Sequence, residues 1–154
     1  MRLYKSTRLC LENKSKEFEK VGWYSHEKEY NNSAVSRYYY SMFIRVSYIY
    51  KGIMGNMNTN KDSHQSVIKL LKNQILVFII KKYSPNSEME KATKEVFVRL
   101  ELCCRYRNIA DYKEGELTIN NVNYLKKTLL MFNDIYEDIL EICGILKKEK
   151  GDLL

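Results

Sequence analysis

Apolar residues recur along this chain at intervals of three and four, the repeat of an α-helix that buries one face. The clearest stripe is Val122, Leu125, Leu129, Phe132, Tyr136, Ile139, Cys143 and Leu146, where the two spacings alternate strictly. One facing helix, from the same bundle or from a partner chain, would bury it. Val35, Tyr39, Met42, Val46, Ile49 and Ile53 predict an earlier helix over 32–53, with Asn31, Asn32 and Ser33 as N-cap candidates and Gly52 and Gly55 at its end. Ile68, Leu71, Ile75 and Phe78 predict another that starts near Ser63. Its run Ile75–Ile80 also has the composition of a buried strand, but continuity with the periodic segment before it favours helix. Ser84-Pro85 breaks the chain, and Ser87 with Glu90 reads as a capping box opening a fourth helix to about Ala110. Residues 8–29 read as a first helix on a weaker pattern, with Leu11 and Phe18 seven apart. The connectors are Gly55 to Asp62, polar and aperiodic, and Lys113 to Thr118, with Gly115 inside and Thr118 as a cap for the last helix. These elements predict an all-α fold: an up-and-down antiparallel bundle of about five helices, one domain over 1–154 with its core in about 8–146.

The fourth helix carries an anomaly. Its stripe of Val96, Leu100 and Cys103 continues to Arg107. A cation on a core stripe must find a partner or line a cleft, because burying it alone is costly. The alternatives are an arginine that snorkels to solvent, caps the helix end, or pairs with Asp111 four residues on. Arg107-Asn108-Ile109-Ala110-Asp111-Tyr112 brings a cation, an amide, a carboxylate and a phenol together, so Arg107, Asn108, Asp111 and Tyr112 are the candidate catalytic residues. Guanidinium suits phosphate in a fork geometry. Asp111 holds Arg107 or acts as a base, and Tyr112 can donate to a phosphate. Arg37, just before Tyr38, Tyr39 and Tyr40, either stacks on bases or pairs with a carboxylate such as Asp111 or Glu95. Tyr39 lies on the core stripe. Arg37, Tyr38 and His64 are the candidate nucleotide contacts.

Composition narrows the classes. With 154 residues, 45% hydrophobic and 29% charged, the chain is globular in balance and long enough for a sizeable core. One proline and six glycines suit long helices. The net charge of +7 suits an anionic partner or a merely soluble basic surface. Lys81-Lys82 and Lys147-Lys148-Glu149-Lys150 read as solvated helix ends. Cys10, Cys103, Cys104 and Cys143 form no C-x-x-C pair, and His26 and His64 are the only histidines, so neither a zinc site nor a cofactor is expected. Cys103 and Cys104 read as small core residues in a reducing compartment. The N-terminus lacks the apolar core of a signal peptide, and Ile75–Ile80 is too short to span a bilayer. Those features predict a cytoplasmic protein with no membrane partner.

Three segments resemble the HEPN superfamily of small helical bundles, and within it the branch of short stand-alone proteins. Ser33-Ala34-Val35-Ser36-Arg37-Tyr38-Tyr39-Tyr40-Ser41-Met42-Phe43 is similar to that branch's A-V-x-R-x-Y-Y-x-x-F helix. Ser63-His64-Gln65-Ser66-Val67-Ile68-Lys69-Leu70-Leu71 is similar to its H-x-x-V-I-x-x-F helix start, and Arg107 to Tyr112 to its R-x-x-A-D-Y signature. The similar region spans about 8–146. The resemblance implies a homodimer with a cleft between the two chains' motifs. It also implies a role in toxin–antitoxin or defence systems: as a metal-independent ribonuclease, as the partner of a nucleotidyltransferase, or as a non-catalytic interaction module. The ribonuclease pattern places a histidine four to six residues after the arginine. Tyr112 stands there in this chain, and no histidine lies beyond His64. Imidazole titrates near neutrality whereas a phenol titrates near 10, so the usual base is missing. His64 reaches the cleft from the third helix or else caps that helix's start.

Overall fold

The computed structural model describes residues 2–55, 63–113 and 115–146, with side chains from Thr7 onward. Most of the Gly55–Asp62 connector and the Lys147–Lys150 cluster lie outside the described residues. Five helices follow one another: α1 Arg2–Glu27, α2 Asn31–Met54, α3 His64–Lys82, α4 Glu88–Tyr112 and α5 Ile119–Ile142. The ambiguous run Ile75–Ile80 lies inside α3. Every member of the α5 stripe from Val122 to Cys143 is buried, and Leu146 packs partly buried against the same core.

Helix α2 packs against all four others and so forms the axis of the bundle. Its Tyr39, Met42, Val46 and Ile49 are fully buried against Leu71 and Ile75 of α3, Phe97 and Leu100 of α4 and Phe132 and Ile139 of α5 in one core. Side-chain caps fix the starts of α3, α4 and α5, whereas Tyr30 at the N-cap of α2 makes none. Ser63 and Ser87 side chains accept from the backbone N–H groups of Ser66 and Glu90. The expected reciprocal contact from Glu90 reaches one residue further back, to the backbone N–H of Asn86. At α5 the Asn121 side chain accepts from the Thr118 N–H at 2.9 Å.

Helix α1 attaches by small residues. Ser15 Oγ donates to Ser41 O at 2.7 Å and Ser41 Oγ donates to Ser15 O at 2.8 Å, a reciprocal pair buried between α1 and α2. Two turns on, Gly22 lies against the Tyr38 ring, so close that a β-carbon there would stand 2.7 Å from Tyr38 Cδ1. The obstacle is a fully buried ring, not a flexible side-chain end. Gly22→Ala is therefore expected to lower the unfolding free energy by about 1–2 kcal/mol, overpacking outweighing alanine's better helix propensity. The shift in urea midpoint checks it. A stabilised variant would mean that α1 stands further from α2 than described.

Candidate functional site

Three helices converge on Arg107. It stands in the last two turns of α4, on the stripe of Val96, Leu100 and Cys103, and is 6% exposed. Across from it, α2 presents Tyr39, Tyr40 and Phe43, and α3 presents His64 in its first turn. Ser63 makes the cap at that end, which leaves the His64 ring to turn inward.

Arg107 Nη2 lies 2.9 Å from His64 Nδ1, and Nη1 donates to Tyr40 Oη at 3.3 Å. Guanidinium can only donate, so His64 Nδ1 is the acceptor and the imidazole proton sits on Nε2. Tyr39 Oη faces the same Nδ1 at 2.9 Å. The Arg107 cation also lies 5.1, 5.4 and 5.6 Å from the ring centres of Tyr39, Tyr40 and Tyr112, within cation–π range. His64 is stacked on Phe43, centroids 3.7 Å apart and planes 13° from parallel. The result is a cation in an aromatic box. Arg107 Nε is buried without a hydrogen-bond partner, and no ion pair among the described residues includes Arg107.

The electrostatics follow from burial. Loss of solvent, then the nearby Arg107 charge, pulls the His64 pKa down to about 4. Burial pushes the Tyr39 and Tyr40 phenols upward, against the pull of Arg107. His64 is thus a neutral acceptor at pH 7. Its folded pKa lies below the ordinary 6.5, so the unfolded chain takes up the proton first as pH falls. Stability from this site is whole above pH 6.5, declines from there towards pH 4 and is lost below it. Because the ring is only half-buried, solvent screening holds the loss to about 1–2 kcal/mol. In His64→Gln that part of the acid slope is expected to vanish, as read from urea midpoints at pH 7 and pH 4.5. An unchanged slope would place the titration elsewhere.

The structure brings some expected residues together and separates others. Arg107, His64 and Tyr112 meet, with Tyr112 74% exposed at the rim. Asn108, next to Arg107 in the chain, is half-buried. Asp111 is exposed and forms no ion pair with Arg107, whose guanidinium folds inward to the two acceptors on α2 and α3. Arg37 lies over Phe18 at 5.3 Å, and with Asp111 lines a shallow cavity of about 140 Å³. Phe18 is in turn 6.1 Å from the Tyr40 ring. Tyr38 is on another face: fully buried, it packs under Gly22 of α1, and its Oη lies 3.2 Å from His26 Nδ1. Burial first, then Glu19 and Glu27, push its pKa to about 12. Tyr39, Tyr40, Phe43 and Phe18 are the site residues that the sequence pattern did not single out as such. The available signal was spacing alone: Arg37, Tyr40 and Phe43 stand at successive intervals of three on one helix. Among the described residues no three His, Cys, Asp or Glu side chains converge as a metal site would require. No protein-family model, no curated protein and no solved structure matches the chain.

Proposed function

We propose that this chain is a HEPN-like, RNA-directed component of a cytoplasmic toxin–antitoxin or defence system, and that it binds RNA in the cleft around Arg107–Tyr112. One observation carries the reading: a guanidinium that, among the described residues, has no carboxylate partner at the junction of α2, α3 and α4. It continues outward through alternating cations and rings, Tyr112 on one side and Tyr40, Phe18 and Arg37 on the other. Rings stack on bases and cations take phosphates, a combination that suits single-stranded RNA. The 3.3 Å bond from Arg107 to the neutral Tyr40 phenol is long enough to give way to a charged phosphate oxygen. The net charge of +7 adds attraction. Histidine-driven cleavage finds little support, because His64 is a weak base and its Nδ1 lone pair is already engaged.

Fluorescence anisotropy with a labelled single-stranded RNA in EDTA tests the proposal, followed by a denaturing gel of the same samples. Saturable binding that weakens with salt, with the RNA left whole, is the expected result. Absence of binding at low salt refutes the RNA reading. Cleavage abolished by His64→Ala would restore a catalytic histidine.

A second reading, an interaction module that dimerises or partners a nucleotidyltransferase, draws on a different face. Leu70, Val77 and Ile80 are exposed at spacings of seven and three along one side of α3. A monomeric mass by light scattering at micromolar concentration, with no co-purifying partner, counts against it.

A further inference from the structure

A second arginine is buried on the opposite side of α2. Arg45 is 8% exposed, held between α2 and α5 with its guanidinium 4.6 Å from the Phe132 ring centre and 5.1 Å from that of Tyr136. Its one hydrogen bond among the described residues is long, Nε to Ser41 O at 3.4 Å, and that carbonyl already accepts from Ser15 Oγ. Nη2 is buried with no hydrogen-bond partner among the described residues, though the Glu19 and Glu12 charges act on the guanidinium. A buried cation with an unspent donor is costly unless something answers it.

Arg45 borders a cavity of about 270 Å³ between α1, α2 and α5. Lys16, Glu12, Glu19 and Glu137 stand in the same wall, with Asn133 beside them. Two of those carboxylates are already claimed from outside: Arg8 binds Glu12 at 2.9 Å and reaches Glu137 at 3.6 Å. Glu19 takes part in no ion pair among the described residues. The cavity therefore offers both signs of charge a short distance apart. A phosphate dianion would meet three carboxylates, and a simple cation would meet Arg45. A small molecule carrying both charges meets a partner for each of them there.

We propose that this cleft binds a free α-amino acid, its carboxylate on Arg45 and Lys16 and its ammonium on Glu19. The cavity is below the range of drug-sized pockets and suits a ligand of that size. The aromatic faces of Phe132 and Tyr136 fix the guanidinium before the ligand arrives, which lowers the cost of ordering it. This site owes nothing to the RNA reading.

The experiment is calorimetric titration of the full chain with free L-amino acids singly, with sodium phosphate and sodium acetate as controls. At least one amino acid is expected to bind with 1:1 stoichiometry, at least tenfold more tightly than acetate, while phosphate does not bind. Glu19→Gln, a partly exposed change that leaves the core alone, is expected to weaken binding at least tenfold. Arg45→Lys should do the same, and Arg107→Met should leave it unchanged. No heat from any amino acid at millimolar concentration overturns the proposal. So does acetate binding as tightly as the amino acid, or a Glu19→Gln variant that binds like the parent.

Discussion

Replacing Arg107 with methionine is expected to weaken RNA binding at least about tenfold while changing the unfolding free energy by less than about 1 kcal/mol. The two halves of that result rest on different terms. Desolvating the guanidinium costs several kcal/mol, and an unmade bond at Nε adds about 1–3 kcal/mol. Against this stand two hydrogen bonds from a charged donor, about 1.5–3 kcal/mol each, and three ring faces at about 0.5–2 kcal/mol each. The opposing sums are of similar size. Among the described residues no carboxylate is stranded when the charge goes, because none is bonded to it. His64 Nδ1 keeps Tyr39 Oη at 2.9 Å, so it is not orphaned either. Methionine has the length and pliancy to fill the space. A residue whose removal costs the fold little but the ligand much is there for the ligand. Urea denaturation and RNA anisotropy on one preparation decide the matter. A stability loss above about 3 kcal/mol would make Arg107 a structural residue. Undiminished binding would remove the cleft from the proposal.

How far the site could be read from the sequence depended on whether a partner was local. Arg107 announced itself because a stripe of Val96, Leu100 and Cys103 fixed the direction of its side chain, and it is buried where that stripe pointed. The same local spacing suggested Asp111 as its partner. The real partners, Tyr40 and His64, are 67 and 43 residues away and meet it only because α2 and α3 cross α4. No periodicity carries that information. Helix α1 was faint for another reason. Its buried positions include Ser15, Gly22 and Ser25, spaced seven and three apart. The helical repeat is present there, but it is written in small residues that allow close approach to α2, which a hydrophobic count does not register. Tyr38 shows the cost of reading a cluster by composition. Three adjacent tyrosines on a helix face three ways, and this one serves the α1 contact. The strict alternation along α5, by contrast, translated directly into a buried face.

Phe132→Ala is expected to produce a large loss of stability, about 3–5 kcal/mol. The ring is fully buried at the centre of the α5 stripe and is one of the largest side chains in the core. Its removal takes away the transfer free energy of the ring and leaves a cavity that the surrounding helices refill only in part. One neighbour makes this position worse than an ordinary core site. Arg45 lies over the Phe132 face at 4.6 Å, so alanine also strips a buried guanidinium of one of its two aromatic supports. That contact is worth about 1–2 kcal/mol where solvent is excluded. Phe132→Leu separates the two contributions: it keeps most of the volume and loses the π face, and is expected to cost about 1–2 kcal/mol. Urea midpoints at unchanged slope give both numbers. Should alanine cost less than about 1.5 kcal/mol, α5 would not be seated against α2 at this level, and the cleft that Arg45 borders would lose its floor.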